Sequence, residues 1–256
     1  MTAEESLTEL TTRLKDDAGR NLMSIILYGS AATGEFHTGH SDLNVLCIMR
    51  SLGKDDLGKL HAASAWWIKK GHPTPLYFTL EELQRSADVY AIELLDIKTA
   101  HRVLYGDDVT ALIDVPMDLH RLEVERELRN NTLRLRQHYL LHPEDSRKIL
   151  ELMTSSISTF AALFRHALLA FGEKPPSAKA EAISRLGSVV GFDPAPFHAI
   201  LAIREGQKRG RDVDVQATFA AYLDRIEKVT AEVDRRLGAP ADGQQGNPES
   251  LPKAAG

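Results

Sequence analysis

The amino-acid sequence predicts a mixed α/β domain followed by an all-helical domain. Short β-prone runs alternate with helical segments up to about residue 117, and only helical apolar stripes follow. The last segment is rich in Pro, Gly, Gln and Ala, a composition typical of disorder. The predicted ranges are 1–117 for the α/β domain, 118–238 for a helical bundle and 239–256 for a disordered tail.

The elements of the first domain follow from local patterns. Thr2 and Glu5 form a capping-box pattern, which predicts a helix over about residues 3–17. Short apolar, β-branched runs predict strands, and helical spacing predicts the helices between them. The predicted strands are 24–28, 42–49, 75–79 and 102–105, and the further helices are 55–70, 81–85 and 90–101.

The second domain shows apolar residues at helical spacing. One stripe runs from Ile149 to Phe171 and ends at Gly172, and the last runs from Phe219 to Leu237 and ends at Gly238. These stripes predict long amphipathic helices whose apolar faces form a core.

Composition narrows the class of protein. The 256 residues are 43% hydrophobic and 26% charged, which is typical of a soluble globular protein. A net charge of −5 disfavours a nucleic-acid binder that relies on a basic surface. Cys47 is the single cysteine, which excludes an intrachain disulfide and a cysteine zinc cage. With a polar N-terminus and no apolar run of about 20 residues, we expect a cytoplasmic protein without a membrane partner.

The segment that carries chemistry is a strand ending in Gly29-Ser30, a loop, and a second strand that opens with Asp42-x-Asn44. Glycine at position 29 allows a sharp turn close to a ligand, and the amides there, with the Ser30 hydroxyl, can donate to phosphate oxygens. Side chains alternate along a strand, so Asp42 and Asn44 share a face, about 7 Å apart. Two oxygen ligands on one face can hold Mg²⁺ beside the bound phosphate.

This segment, Ile25–Ile48, resembles the signature of the nucleotidyltransferase superfamily: a strand, Gly-Ser, a loop, then Asp-x-Asp on the next strand. The order of the two domains resembles that of aminoglycoside nucleotidyltransferases. The resemblance implies that Asp42 is the catalytic carboxylate and main Mg²⁺ ligand, that Asn44 is the second metal ligand, and that Gly29, Ser30 and Asn44 bind a nucleoside triphosphate. It also implies attack on the α-phosphate, with a small molecule or a protein as the acceptor.

The sequence departs from that signature at three places. Thr33 stands where many members have arginine, Asn44 replaces the second aspartate, and the strand Leu76–Thr79 lacks the expected third carboxylate. The site thereby falls from three formal negative charges to one, which still allows one Mg²⁺ delivered with the nucleotide but disfavours a two-metal clamp. Glu93 or Asp96 could reach in and substitute; alternatively, they are acids of a helix face that are solvated or paired.

Several alternatives stay open from the sequence alone. The protein is either an active nucleotidyltransferase or a catalytically inactive nucleotide-sensing or protein-interaction module on the same fold. His37 and His40 could hold a transition metal with Asp42, although loop histidines are usually solvated. Arg129 or Arg136 could pair with a triphosphate, although a salt-bridged helix face is the more usual explanation.

Overall fold

The computed structural model describes residues 1–29, 31–32 and 43–237. Two compact units make up the chain, one ending at Glu123 and the next beginning at Val124. We refer to the first as the α/β unit and to the second as the helical unit. The functional domains 1–117 and 118–238 remain a prediction, and the tail 239–256 lies outside the described residues.

The α/β unit alternates helices with short strands in the predicted order. Each element lies within two residues of its predicted bounds, except where the second strand was expected to include Asp42, which lies outside the described residues. The helices are α1 Ala3–Ala18, α2 Lys54–Lys69, α3 Leu80–Arg85 and α4 Ala91–Thr99, and the strands are β1 Leu22–Tyr28, β2 Asn44–Met49, β3 Leu76–Thr79 and β4 His101–Gly106.

Helix α1 begins at the predicted capping box. The Thr2 hydroxyl accepts from the Glu5 amide at 3.2 Å, and the Glu5 carboxylate accepts from the Thr2 amide at 2.8 Å. Thr79 and Glu82 repeat the arrangement at α3, so the chain leaves β3 directly into a helix. Each pair satisfies two amides that the first helical turn would leave without partners.

The four strands form one sheet in the order β3-β2-β1-β4. Strand β1 is antiparallel to both β2 and β4, whereas β3 runs parallel to β2. The central strands are apolar on both faces because both faces are covered. One face packs on α1 and α2 around Leu10, Trp67 and the fully buried Cys47, and the other packs on α4 around Leu46 and Leu94.

Gly106 closes β4 where that strand passes closest to β1. Its φ of +76° lies in the left-handed region, and a Cβ there would collide with the carbonyl oxygen of Met23. Only glycine fits this position, for both reasons. The neighbouring Ser24 hydroxyl bonds to the carbonyl oxygens of Tyr105 and Asp107, which fixes the end of β4 against β1.

The helical unit contains the long helices that the apolar stripes predict. Within the described residues these are the second part of α5 Met117–Leu141, then α6 Ser146–Ala170, α7 Lys179–Val190, α8 Ala195–Arg204 and α9 Val215–Leu237. Phe164, Phe197 and Tyr222 meet at its centre: the ring centroids of Phe197 lie 5.1 Å from Phe164 and 4.7 Å from Tyr222. All three side chains are fully buried. No helix in the described part of the chain is long and apolar enough to cross a membrane.

Candidate functional site

Gly29 makes the turn that ends β1. Its φ is +81°, its amide donates to the carbonyl oxygen of Ala100 at 2.9 Å, and its own carbonyl oxygen accepts from the Ala32 amide at 2.9 Å. The left-handed backbone is strained for any side chain with a Cβ, so glycine is required by conformation. The sequence predicted this turn for the same reason.

Asn44 lies directly beside that turn. It opens β2 and pairs across the sheet with Tyr28, the residue before Gly29. A Cβ placed on Gly29 would lie 3.5 Å from the Asn44 Nδ2 atom, which is ordinary contact distance. The structure therefore brings together two of the four predicted site residues. The other two, Ser30 and Asp42, lie outside the described residues, as do His37 and His40.

The Asn44 side chain shares a face of the sheet with Leu46 and Ile48, because side chains alternate along a strand. Those two residues pack in the apolar cluster that contains α4, and Tyr28 packs against the same cluster. The predicted site thus borders the face that α4 covers.

Burial raises the pKa of the Tyr28 phenol, and the negative charge of Glu93 on α4 raises that pKa further. Glu93 is exposed, and Asp96, one turn further along α4, is half-buried.

Strand β3 supplies no acid to this end of the sheet. It reads Leu-Tyr-Phe-Thr, and its residues pair in register with Leu46 to Met49 of β2. Within the described ranges, no group of three or more His, Cys, Asp and Glu side chains could hold a metal ion. The side-chain donor that the structure does place beside Gly29 is the Asn44 amide, whose oxygen suits Mg²⁺ better than a transition metal.

A polar cluster at the start of β4 was missed from the sequence. His101 pairs with Tyr28 in the sheet, and its Nε2 atom lies 3.1 Å from both Asp108 Oδ2 and Thr110 Oγ1. Hydrogen bonds from Thr110 and from His101 lower the pKa of Asp108. The sequence pattern that could have indicated it is Asp108-x-Thr110, because at this spacing an aspartate carboxylate can accept from the amide two residues later in a turn. Because Asp108 hydrogen-bonds to both His101 and Thr110, the cluster holds the chain that follows β4 in place.

The two arginines that could have paired with a triphosphate are matched within the helical unit. Arg129 bonds to Glu125 at 2.5 Å and to Asp234 at 3.1 Å, and Arg136 bonds to Glu227 at 2.7 Å. These pairs line a groove of about 370 Å³ between α5 and α9. The structure supports the salt-bridged alternative for this face.

Comparison with known proteins gives a likeness in structure. No protein-family model matches the chain, and no curated protein matches it. Among solved structures, the chain is similar to spectinomycin adenyltransferase AAD(9) from Enterococcus faecialis, crystallised with ATP and spectinomycin, at a TM-score of 0.57 and 16% sequence identity. The match covers 88% of this chain and 100% of that one. The chain therefore has a divergent nucleotidyltransferase-like fold, a mixed α/β domain followed by a helical region, as the sequence predicted.

Proposed function

We propose that this protein binds a nucleoside triphosphate, with ATP as the first candidate, together with Mg²⁺ at the end of β1 and the start of β2. Gly29 and Ser30 would hold the phosphates, Asp42 would be the main metal ligand, and Asn44 would be the second. The observation that carries the proposal is the left-handed Gly29 turn in contact range of Asn44, on a nucleotidyltransferase-like fold.

The activity we propose is transfer of a nucleotidyl group to a hydroxyl of a small molecule or a protein. The acceptor oxygen would form a bond to the α-phosphorus, the bond from that phosphorus to the bridging oxygen would break, and pyrophosphate would leave with the electron pair. The hydroxyl proton would pass to a carboxylate or to water. Mg²⁺, when bound, neutralises phosphate charge and aligns the leaving oxygen.

The residues of the chain would contribute positioning and charge. Gly29 lets the backbone approach the phosphates without a Cβ in the way. Asn44 offers a neutral carbonyl oxygen, which can ligate a cation but cannot offset its charge. Asp42 would therefore supply the negative charge on this strand, and its removal should affect Mg²⁺-dependent binding most.

A catalytically inactive nucleotide-sensing or protein-interaction module is the second candidate. The absence of a carboxylate from β3 favours it, because the proton acceptor and part of the metal-binding charge would be missing. A nucleotide sensor would bind the nucleotide without releasing pyrophosphate, whereas a protein-interaction module need not bind it.

Thermal unfolding tests nucleotide binding. Each nucleoside triphosphate would be added to wild type and Asp42→Ala, with Mg²⁺ and with a chelator. Ligand at about 100 times its dissociation constant should stabilise the protein by about 2.7 kcal/mol, which raises Tm by several degrees. Asp16→Ala, which removes an exposed α1 carboxylate, is the matched control and should keep the shift. A wild type that no nucleotide stabilises would overturn the transferase and the nucleotide sensor, and would leave only the protein-interaction module, which partner pull-downs would then test.

Pyrophosphate release then separates the two candidates. Spectinomycin is the first acceptor to try, because AAD(9) was crystallised with it. Release that requires the acceptor and disappears in Asp42→Ala would support the transferase. Tight binding without release under any acceptor would support the inactive module.

A further inference from the structure

The groove between α5 and α9 carries its side chains at a regular spacing on both helices. Arg129, Leu133 and Arg136 line it from α5 and follow one another at intervals of four and three residues, which places them on one face of that helix. Glu227 and Asp234 line it from α9 and are two helical turns apart. Intervals of three and four residues are those at which helices of a bundle pack side by side.

The ion pairs across the groove form two levels. Arg129 bonds to Asp234 at one level, and Arg136 bonds to Glu227 at the other. These four side chains are between 44% and 59% exposed. A guanidinium has five N–H donors and a carboxylate has two oxygen atoms, so each group can take a further partner of opposite charge. Both levels can therefore bind charges of a second molecule.

The surface between the two levels is apolar on α5 and small on α9. Leu133 is a large aliphatic side chain, yet it is 52% exposed. The register that the two ion pairs set places it opposite Thr230, and the neighbouring Ala231 is exposed and lines the same groove. An exposed leucine beside a small residue provides both a knob and a hole for helix packing.

We propose that the groove face of α5 and α9 binds a second copy of this chain, through a two-fold axis that lies parallel to these helices. Such an axis places α5 of one protomer over α9 of its partner and keeps both levels at the same height. Arg129 then faces Asp234 of the partner subunit, and Leu133 enters the space over Ala231 of the partner subunit. The four charges at each level alternate in sign.

The same charges disfavour the other two-fold arrangement. An axis perpendicular to the helices would place α5 over α5 and bring Arg129 against Arg136 of the partner subunit. It would also bring Glu227 against Asp234 of the partner subunit, so that like charges would meet at both levels. A partner of uniform charge is disfavoured for a related reason, since this face carries two cations and two anions.

Sedimentation equilibrium of the full chain over a range of concentrations tests the interface. We expect a reversible dimer. Leu133→Asp introduces a charge at the centre of the face and should raise the dissociation constant of the dimer by about ten-fold or more. Leu57→Asp, at a side chain 50% exposed on α2, is the matched control and should dimerise like wild type. A wild type that stays monomeric, or equal dissociation constants for the two variants, would overturn the proposal.

Disulfide cross-linking tests the orientation of the axis. Leu133→Cys and Ala231→Cys would be purified separately, mixed and oxidised, with the native Cys47 fully buried. We expect a cross-linked dimer in the mixture and none from either variant alone, because only α5 and α9 of different protomers face each other. Cross-linking of Leu133→Cys with itself would mean that α5 lies over α5, which overturns the proposed axis. A dimer without any cross-link would overturn the proposed interface.

Discussion

In the helical unit, charged side chains of α5 and α9 pair with one another, whereas the predicted site in the α/β unit combines a glycine turn with a neutral amide. Arg129 and Arg136 bond to Asp234 and Glu227 across that helix pair. At the end of β1, Gly29 makes a left-handed turn in contact range of the Asn44 side chain. Matched ion pairs stabilise a surface modestly, while a turn without a Cβ lets a ligand approach the backbone.

The comparison extends to the way each unit is held together. The helical unit depends on large aromatic side chains that contact one another at its centre. The α/β unit depends on strands that come so close that Gly106 admits no side chain. Trp66 and Trp67, the two tryptophans of the chain, both lie in the α/β unit. Tryptophan fluorescence therefore follows that unit, and the two units can be measured separately.

The largest expected effect is in the aromatic core. Phe197→Ala should destabilise the helical unit by about 4 kcal/mol, because it removes a fully buried ring and leaves a cavity. Urea unfolding followed by far-UV circular dichroism would show a lower midpoint. Leu140→Ala, at a side chain 74% exposed, should change it by less than about 0.5 kcal/mol. If Phe197→Ala lowered the urea midpoint seen by tryptophan fluorescence as much as the midpoint seen by circular dichroism, the two units would not unfold separately.

Gly106→Ala should destabilise the α/β unit in the same way that Phe197→Ala destabilises the helical unit. The added Cβ meets the backbone of Met23 and the φ is unfavourable, so we expect a loss of about 3 kcal/mol in the tryptophan transition. Gly172→Ala in the helical unit has a similar φ of +79° and open space around the Cβ. It should cost only about 1 kcal/mol, the strain of the left-handed backbone. A Gly106→Ala protein as stable as Gly172→Ala would show that β4 can move away from β1.

Gly29→Ala distinguishes an effect on nucleotide binding from an effect on the stability of the α/β unit. Gly71→Ala is its match, because both glycines have a left-handed φ (+81° and +90°) and no contact closer than 3.5 Å. Each should lose about 1 kcal/mol of stability. Only Gly29→Ala should weaken nucleotide binding. We expect the dissociation constant to rise about ten-fold or more, because a loss of about 1.4 kcal/mol of binding free energy at the phosphates has that effect. Equal affinities in the two variants would remove Gly29 from the nucleotide site.

The smallest effect concerns an ion-pair cluster in the last turns of α9. Hydrogen bonds from Arg235 and then Arg236 lower the pKa of Glu232 from 4.5 to about 2, against the opposing effect of burial. A lowered carboxyl pKa contributes stability above pH 4.5 that is lost as the pH falls toward 2. Glu232→Gln should cost about 1 kcal/mol at neutral pH and nothing near pH 2.

Chemical unfolding at several pH values measures that contribution. The difference between wild type and Glu232→Gln should shrink as the pH falls through this range. A difference that stays constant with pH would mean that the side chain acts by packing and not by charge.

The fold was predictable because it depends on local patterns. Short apolar, β-branched runs predicted β1 and β2, and apolar stripes at helical spacing predicted α6 and α9. The pair Thr2 and Glu5 predicted the start of α1. The same is true of the Gly29 turn and its neighbour Asn44, since both follow from a short motif. Ser30 and Asp42 stay predictions.

The remaining parts of the site depend on tertiary packing. Whether Glu93 or Asp96 approaches the end of β1 is decided by the rotation of α4, which Leu94, Ile97 and the Glu123 carboxylate set together. His101 meets Asp108 and Thr110 only because β4 pairs with β1 in one register. Periodicity shows that a helix has an apolar face, but not which neighbouring loop its polar edge reaches.

The single thiol of the chain lies in the middle strand pair, fully buried at Cys47, where burial also raises its pKa. A reagent that modifies thiolates can reach it only when the sheet opens. The rate of labelling in native buffer therefore reports how often β1 and β2 separate, just as exchange of a buried amide proton reports local opening. If a bound nucleotide holds the ends of these two strands together, it should slow the labelling of an atom that it never touches.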